Sequence, residues 1–171
     1  YNNKYGVPLS LFNLNQKDDY GVLEIGMDKK GEIDYLSKIV QPDVSIITNI
    51  SYAHAKNFRN LKQIALAKSE IINNTKDNGF IILNADDNFF WLHKKLAIKK
   101  NLKILSFGIR NKNSNIKLLN IKKEANRYKV TIKINNFKTY FLIQNDFQNN
   151  ILNILATLAV MSIYLDISKI D

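Results

Sequence analysis

The segment DVSIITN at residues 43–49 and the segment FIILN at residues 80–84 decide the fold class of this chain. Both are short, apolar and rich in β-branched residues, which is typical of parallel strands that are covered on both faces. Similar runs at residues 20–25 and 102–107 predict two more strands. Helical patterns lie between these runs, at residues 31–40, 60–74 and 87–98. The alternation predicts an α/β fold, with a mostly parallel sheet, right-handed crossovers and flanking helices.

The pattern changes after Gly108. Residues 115–143 contain three runs that alternate apolar and polar side chains, joined by short polar turns such as Asn135-Asn136. This alternation predicts a half-exposed antiparallel meander, which would form a small antiparallel sheet. A closing helix is predicted at residues 147–165, and its inward side carries Ile151, Leu152, Leu155, Leu158, Ala159 and Ile163. Residues 1–15 carry the residues of a loop, with no strand pattern and no helix cap.

Length and composition limit the class of protein. A chain of 171 residues with 46% hydrophobic content is sufficient for one sizeable core, and this length favours a single domain. The absence of cysteine excludes disulfides and cysteine-based zinc sites, and it fits a reducing compartment. The most apolar run, residues 151–165, contains Asn153 and is shorter than the roughly 20 residues that a membrane span needs. Without a visible signal peptide, we expect a soluble, cytoplasmic protein.

The formal net charge of +10 raises the question of an anionic partner. The lysines are mostly scattered along the chain, and the densest group lies at residues 94–103, where a helix leads into a strand. No RNA-binding or DNA-binding motif accompanies them. A solvated basic face therefore explains the charge, and we expect no specific nucleic-acid partner.

Lys68 lies on the apolar side of the helix predicted at residues 60–74. Its neighbours follow the three-and-four spacing of a buried helix face, and at about 100° per residue Lys68 falls between Ile64 and Ile72. Burying an ammonium group is costly unless the group finds a partner or loses its charge. Either the side chain extends its head past the edge of the core, or the buried amine has a chemical role.

Polar residues also stand at the predicted carboxyl ends of the strands, where ligands collect in open parallel sheets. Glu24 ends the run at residues 20–25, His54 follows the second strand, and Asn84 and Asp86 follow the third. Each has a plain structural alternative. Glu24 can pair with a basic side chain, His54 can be a surface residue, and Asn84 and Asp86 can cap a helix. Their shared edge is what favours a functional site.

A phosphate-binding loop is absent from this sequence. Gly21 and Gly26 have the required spacing, but Met27 and Asp28 stand where lysine and serine or threonine would be needed. No other pair of glycines completes a Walker A motif.

Five segments of the first half resemble the central domain of the Mur ligases. They read YGVPLSL from residue 5, EIGMDKKGEIDYLS from residue 24, PDVSIITNISYAHAKNF from residue 42, IALAKSEI from residue 64 and ILNADD from residue 82. Within this family, the resemblance is strongest to the branch that adds D-alanyl-D-alanine to UDP-N-acetylmuramoyl-tripeptide. It therefore implies an ATP-dependent amide ligase of peptidoglycan precursor synthesis that works through an acyl phosphate.

The resemblance also implies a catalytic, metal-binding set. Glu24 matches the acidic metal ligand of the family, His54 matches its metal-binding histidine, and Lys68 matches the lysine that carbon dioxide carbamylates. A desolvated lysine is pushed toward its neutral amine, which is the form that reacts with carbon dioxide. The carbamate offers oxygen donors that suit Mg²⁺, and Mg²⁺ neutralises charge on a transferring phosphoryl group.

The nucleotide side of the implied site is less complete. Residues 149–153 resemble the His-Asn-x-x-Asn element of the family, so Asn150 and Asn153 are candidate contacts to the adenine side of ATP, with Asn84 as a further cofactor-binding candidate. Asn149 replaces the usual histidine, and Phe147 replaces an expected glycine. Buried, helix-capping asparagines are the alternative explanation.

We expect residues 1–171 to form part of a Mur ligase central, ATP-binding domain. The phosphate loop, the domain that holds the UDP-sugar and the domain that closes over the amino substrate have no counterpart in the chain. The isolated polypeptide would then have negligible activity. Two other interpretations stay open: a ligase of another Mur branch or of the folylpolyglutamate type, and a non-catalytic, basic α/β binding module.

Overall fold

The predicted strands and helices assemble around one mixed sheet. The computed structural model describes residues 2–52, 57–144 and 148–166. Its six-stranded sheet has the order β1-β2-β3-β4-β5-β6, with strands β1 (Val44–Ile47), β2 (Phe80–Asn84), β3 (Lys103–Gly108), β4 (Ile116–Glu124), β5 (Arg127–Ile134) and β6 (Phe137–Ile143). The helices are α1 (Gly6–Phe12), α2 (Glu32–Val40), α3 (Leu61–Lys68), α4 (Glu70–Asn74), α5 (Phe90–Lys99) and α6 (Gln148–Tyr164).

Strands β1, β2 and β3 run parallel, and helices cover both faces of them. In β2, Ile81 and Leu83 face one way and join a core with residues of α4 and α5. Ile82 faces the other way and joins a core with residues of α6. All three side chains are buried. The prediction of parallel strands covered on both faces is therefore confirmed.

The antiparallel meander joins the parallel strands within the same sheet. A short parallel ladder connects β3 to β4 through the pairs Phe107↔Ile116 and Gly108↔Lys117. Strands β4, β5 and β6 then pair antiparallel. Asn135 adopts a positive φ of 51° in the turn between β5 and β6, a conformation that asparagine tolerates better than most residues. The predicted meander and its Asn135-Asn136 turn are confirmed.

Helix α6 packs across the sheet as its apolar pattern predicted. Ile151, Leu155 and Ala159 are buried, and Leu152, Leu158 and Ile163 pack against the same core at partial exposure. Because β2, β3, β4 and β5 all contact this helix, it holds the two halves of the sheet to one core. Within the part of the chain that the structure describes, no helix is long and apolar enough to cross a membrane.

Two predictions about the first 25 residues are wrong. Residues 20–25 form no strand, and Val22 is 97% exposed. A strand needs a hydrogen-bonded neighbour, and in the described sheet β1 pairs only with β2. Residues 1–15 are not all loop, since α1 begins where the Asn3 side chain accepts hydrogen bonds from the backbone N–H groups of Tyr5 and Gly6.

The helix predicted at residues 60–74 is interrupted. It divides into α3 and α4 at Ser69, whose hydroxyl donates to the Leu66 carbonyl at 2.7 Å. The helix predicted at residues 87–98 starts later than expected, because α5 begins at Phe90. Both corrections change which polar residues stand at helix ends.

Candidate functional site

The candidate site lies at the carboxyl ends of β1 and β2. The loop after β1 carries Asn49 and Ile50, and β2 ends at Asn84 and continues into Asp86 and Asp87. Parallel strands place these segments on the same edge of the sheet, which is where ligands bind in open α/β folds. The side chains at this edge make specific hydrogen bonds.

Lys68 reaches this edge from the last residue of α3. Its ammonium donates to the backbone carbonyl of Asn49 at 2.8 Å, and the side chain is half-buried. Burial lowers the pKa of Lys68 below its ordinary 10.5, although the nearby Asp87 carboxylate acts in the opposite direction. The lysine is therefore not a side chain that has simply extended into solvent, since its head is held against the sheet edge.

Asp87 ties the loop after β1 to the start of the α5 segment. One carboxylate oxygen accepts from the backbone N–H of Ile50 at 2.9 Å, and the other accepts from the N–H of Phe89 at 2.8 Å. Because Ile50 follows Asn49 directly, this bond holds the carbonyl that receives Lys68. The negative charge of the carboxylate also favours the charged form of Lys68 and so opposes the lowering of its pKa.

Asn84 and Asp86 do not cap a helix, so that interpretation is wrong. The Asn84 amide donates to the Thr48 carbonyl at 3.0 Å, and its side-chain oxygen accepts from the N–H of Asp86 at 3.0 Å. Asn84 is buried, and it joins the ends of β1 and β2. The residues that follow β2 run through a turn before α5, which leaves no helix start for these side chains to cap.

The Asp86 carboxylate holds the connection between β3 and β4. It accepts hydrogen bonds from the backbone N–H groups of Ile109, Arg110 and Asn111, at 2.6, 3.0 and 2.7 Å. A methyl group added to Gly108 would approach the same carboxylate at 3.0 Å, so the loop passes close to it. The Asp86 carboxylate is thus fully engaged by backbone N–H groups of the loop that joins the parallel strands to the meander.

The structure describes Glu24 but not His54. Glu24 is exposed, and it accepts a hydrogen bond from the Asn2 side chain at 3.1 Å. His54 lies outside the described residues, so its predicted role stays a prediction. In residues 2–52, 57–144 and 148–166, no group of three His, Cys, Asp or Glu side chains is close enough together to hold a metal ion.

Two contacts hold the segment that follows Glu24. The amide of Asn57 donates to the Asp28 carbonyl at 2.9 Å, which links this segment to the chain after His54. The Glu70 carboxylate accepts from the backbone N–H of Gly31, the left-handed residue before α2, at 2.9 Å. Helix α4 therefore fixes the start of α2, since a carboxylate is favourable at a helix N-terminus.

Asn150 and Asn153 are exposed on α6, so they are not the buried capping residues of the alternative explanation. They are three positions apart, which places them on neighbouring parts of one helix face. With Ile143, Gln144 and Ile154 they line a shallow cleft of about 320 Å³. Amide groups on the wall of a cleft provide both hydrogen-bond donors and acceptors.

His93 is the residue that the sequence analysis missed. It is 2% exposed, and its Nε2 atom lies 3.1 Å from the carbonyl oxygen of Ala65 in α3. A sequence signal was present, because Phe90, His93 and Ala97 share the buried side of α5 at the three-and-four spacing. His93 lies on the apolar side of α5, just as Lys68 lies on the apolar side of α3.

Comparisons with known proteins agree on one family. The family described as the Mur ligase middle domain matches residues 1–161. A relative from Buchnera aphidicola subsp. Baizongia pistaciae, a UDP-N-acetylmuramoyl-tripeptide--D-alanyl-D-alanine ligase, is 37% identical over 172 residues, which cover 99% of this chain and 37% of the relative. The chain thus spans well under half the length of this relative.

Solved structures show the same relationship. A crystal structure of MurF from Acinetobacter baumannii superposes with a TM-score of 0.85 at 30% identity, covering 94% of this chain and 34% of that one. The MurF ligase from Thermotoga maritima, solved in complex with ADP, has a TM-score of 0.81 at 27% identity and covers 94% and 36% of the two chains.

Proposed function

The chain belongs to the Mur ligase family, and from that premise we propose that it is part of the ATP-binding central domain of an amide ligase. The complete protein would join D-alanyl-D-alanine to UDP-N-acetylmuramoyl-tripeptide in peptidoglycan precursor synthesis. ATP would phosphorylate the peptide carboxylate, and the amine of the dipeptide would displace the phosphate to form the amide. The similarity to ligases of that branch across nearly the whole chain supports this assignment.

The placement of Lys68 carries the proposal. Its amine is half-buried, lies at the carboxyl edge of the parallel strands, and has a pKa that burial lowers. A lowered pKa increases the neutral fraction of the amine. The nitrogen lone pair attacks the carbon of CO₂, a C–N bond forms, and the nitrogen releases one proton to water. The product is a carbamate anion, which replaces a cation with two oxygen donors.

The family resemblance implies a site for Mg²⁺ that includes Lys68. The ligands would be the carbamate of Lys68, the exposed carboxylate of Glu24 and the imidazole of His54. The carbamate and the carboxylate supply oxygen donors, which suit a hard cation. When bound, Mg²⁺ would neutralise charge that develops on the transferring phosphoryl group. The Asn49 carbonyl holds the lysine head at the edge of the sheet, and Asp87 holds the loop that carries this carbonyl.

The nucleotide is proposed to bind against α6. Asn150 and Asn153 present exposed amides along the cleft, where they can pair with the donor and acceptor groups of an adenine edge. Asn84 contributes differently, because both ends of its amide already bind backbone groups. We propose that Asn84 supports the cofactor site by keeping the ends of β1 and β2 aligned.

The test is Lys68→Ala in the full-length protein that carries this chain, measured as ADP release that depends on the tripeptide and dipeptide substrates. We expect turnover to fall by about 100-fold or more, because the variant loses a preorganised charge beside the phosphoryl group. A short carboxylic acid should partly restore turnover by taking the place of the carbamate. Lys62→Ala is the matched control, since Lys62 is exposed on the same helix. Unchanged turnover in Lys68→Ala would remove Lys68 from the mechanism.

A further inference from the structure

The stretch from Asp87 to His93 binds two backbone groups that neighbour Lys68 or its partner. Asp87 binds the N–H of Ile50, next to the Asn49 carbonyl that receives the lysine head. His93 contacts the carbonyl of Ala65, three residues before Lys68 in α3. The lysine is therefore held at its head and at its backbone by partners that one short segment of chain controls.

The hydrogen bond of His93 defines which ring nitrogen carries a proton. A backbone carbonyl can only accept, so Nε2 must carry the proton that it donates to Ala65. Burial lowers the pKa of His93 below its ordinary 6.5, while the Ala65 carbonyl and Asp87 raise it and Lys68 lowers it. The ring is therefore a neutral donor, and it adds no second positive charge beside Lys68.

The Ala65 carbonyl lies in the last turn of α3, just before the break between α3 and α4. Ala65 also accepts from the N–H of Ser69 at 2.9 Å, and Ser69 is the residue where α3 gives way to α4. Two donors from different elements thus converge on one oxygen in the last turn before Lys68. A helix end has few internal bonds of its own, so an external donor has a large share in fixing it.

We propose that His93 is a positioning residue for Lys68, which it holds through the Ala65 carbonyl so that the amine meets the Asn49 carbonyl at the sheet edge. This inference rests on the proposed function of Lys68. The mechanism needs a group whose reacting atoms are fixed in place, and small displacements of such groups reduce rates strongly. His93 is buried against α3, and it acts by holding the last turn of that helix.

The test uses two variants of the full-length protein. His93→Leu keeps a side chain of similar bulk without a donor, whereas His93→Gln keeps an N–H that can reach the same carbonyl. We expect kcat to fall by about 100-fold in His93→Leu, with the KM for ATP nearly unchanged, because the displaced group acts in the chemical step. His93→Gln should recover most of that loss. A purely structural role would not produce this recovery together with an unchanged KM.

A spectroscopic measurement follows the lysine itself. With ¹³C-labelled bicarbonate, the carbamate signal that disappears in Lys68→Ala should weaken in His93→Leu and return in His93→Gln. If His93→Leu does not fold, His93→Asn replaces it, since its shorter amide falls short of the Ala65 carbonyl. An unchanged kcat and an unchanged carbamate signal in the donor-less variant would overturn the proposal.

If the proposed function of Lys68 is wrong, the measurements give a different result from the one expected if only the role of His93 is wrong. In that case wild-type protein would show no Lys68-dependent carbamate signal. Crystal structures of the variants then still decide the inference, through the distance from the Lys68 amine to the Asn49 carbonyl, which is 2.8 Å here. That distance should exceed hydrogen-bonding range in His93→Leu and stay within it in His93→Gln. An unchanged distance in both variants would overturn the positioning role.

Discussion

The parallel strands β1 to β3 and the meander β4 to β6 share one sheet, yet they bury their residues differently. In β2, every residue from Ile81 to Asn84 is buried, because helices cover both faces. In β5, Val130, Ile132 and Ile134 are buried under α6 while the residues between them stay partly exposed. Polar groups at the end of the parallel strands therefore need defined partners, whereas polar groups on the meander can rely on water.

The outer face of the meander shows the consequence. Lys133 lies directly between Lys117 on β4 and Lys138 on β6, and Lys122 lies opposite Lys129. Like charges in facing positions destabilise a sheet, and water reduces that effect only in part. At the carboxyl edge, by contrast, Asp86 and Asp87 each bind backbone N–H groups. One region tolerates unfavourable electrostatics, and the other depends on specific polar contacts.

The largest expected effect is the loss of stability when a fully buried side chain of the parallel strands is truncated, compared with truncation of an exposed side chain of the meander. Ile82→Ala should lower the free energy of unfolding by about 2–5 kcal/mol, because it removes a fully buried side chain from the core under α6. Leu142→Ala, at a position on β6 that is 48% exposed, should change it by only about 0.5 kcal/mol. Urea denaturation of both variants measures the difference. Equal losses of unfolding free energy would show that the two regions do not differ in how much their side chains contribute to stability.

The next prediction concerns the junction between the two regions. Asp86→Asn should lower the free energy of unfolding by about 1–3 kcal/mol, because a neutral amide cannot accept from the three N–H groups of the β3–β4 loop as the carboxylate does. The matched control is Asp43→Asn, whose carboxylate forms an exposed ion pair with Lys76 and should lose less than about 1 kcal/mol. Chemical denaturation of both variants provides the measurement. If Asp43→Asn is the more damaging change, Asp86 does not anchor the junction.

A smaller effect should appear as pH dependence. The pKa of His93 in the folded protein lies below its ordinary value of 6.5, which applies to the unfolded chain. At pH values between these two pKa values, the unfolded chain binds a proton that the folded chain does not. The stability that His93 contributes is therefore complete above pH 6.5 and is lost as the pH falls through that window. Each unit of pKa difference corresponds to about 1.4 kcal/mol.

His93→Gln removes this titration. Between about pH 7.5 and about pH 5, its free energy of unfolding should decline less than that of the wild type. Urea denaturation at both pH values gives the two declines. Parallel declines would mean that His93 is not buried as a neutral ring.

The smallest expected effect is a gain in stability on the meander. Lys133→Glu replaces two repulsive cross-strand pairs with two attractive ones, and it should raise the free energy of unfolding by about 0.2–1 kcal/mol for each pair. Lys133→Gln only removes the repulsion, so it should give a smaller gain. Thermal unfolding at low and high salt tests both, since salt should reduce the gain. A loss of stability in Lys133→Glu would show that these lysines do not repel one another.

Much of this fold follows from local pattern. The apolar runs at residues 43–49, 80–84 and 102–107 predicted β1, β2 and β3, and the alternation from residue 115 predicted the meander. The run at residues 20–25 is also short and largely apolar, and it forms no strand. The difference is the neighbour, because a strand exists only where another strand completes its hydrogen bonds, and composition carries no information about that.

The candidate site was predictable in part. The apolar stripe of α3 left two interpretations of Lys68 open, and in the structure the side chain is half-buried with its amine against the sheet edge. The stripe did not reveal the Asn49 carbonyl as the partner of that amine. Capping was the structural alternative for Asn84 and Asp86 because such residues favour helix starts, but their partners lie just after β1 and in the β3–β4 loop.

The sequence by itself determined the positions of β1 to β6 and of most helices, and it placed Lys68 on the apolar stripe of α3, because both depend on periodicity over a few neighbouring residues. Only the tertiary structure decided the partners of the polar groups. Asp86 binds a residue 23 positions away, and His93 binds one 28 positions away. Such pairs form because parallel strands and their crossover helices bring distant segments to one edge, and no local pattern encodes which segments will meet there.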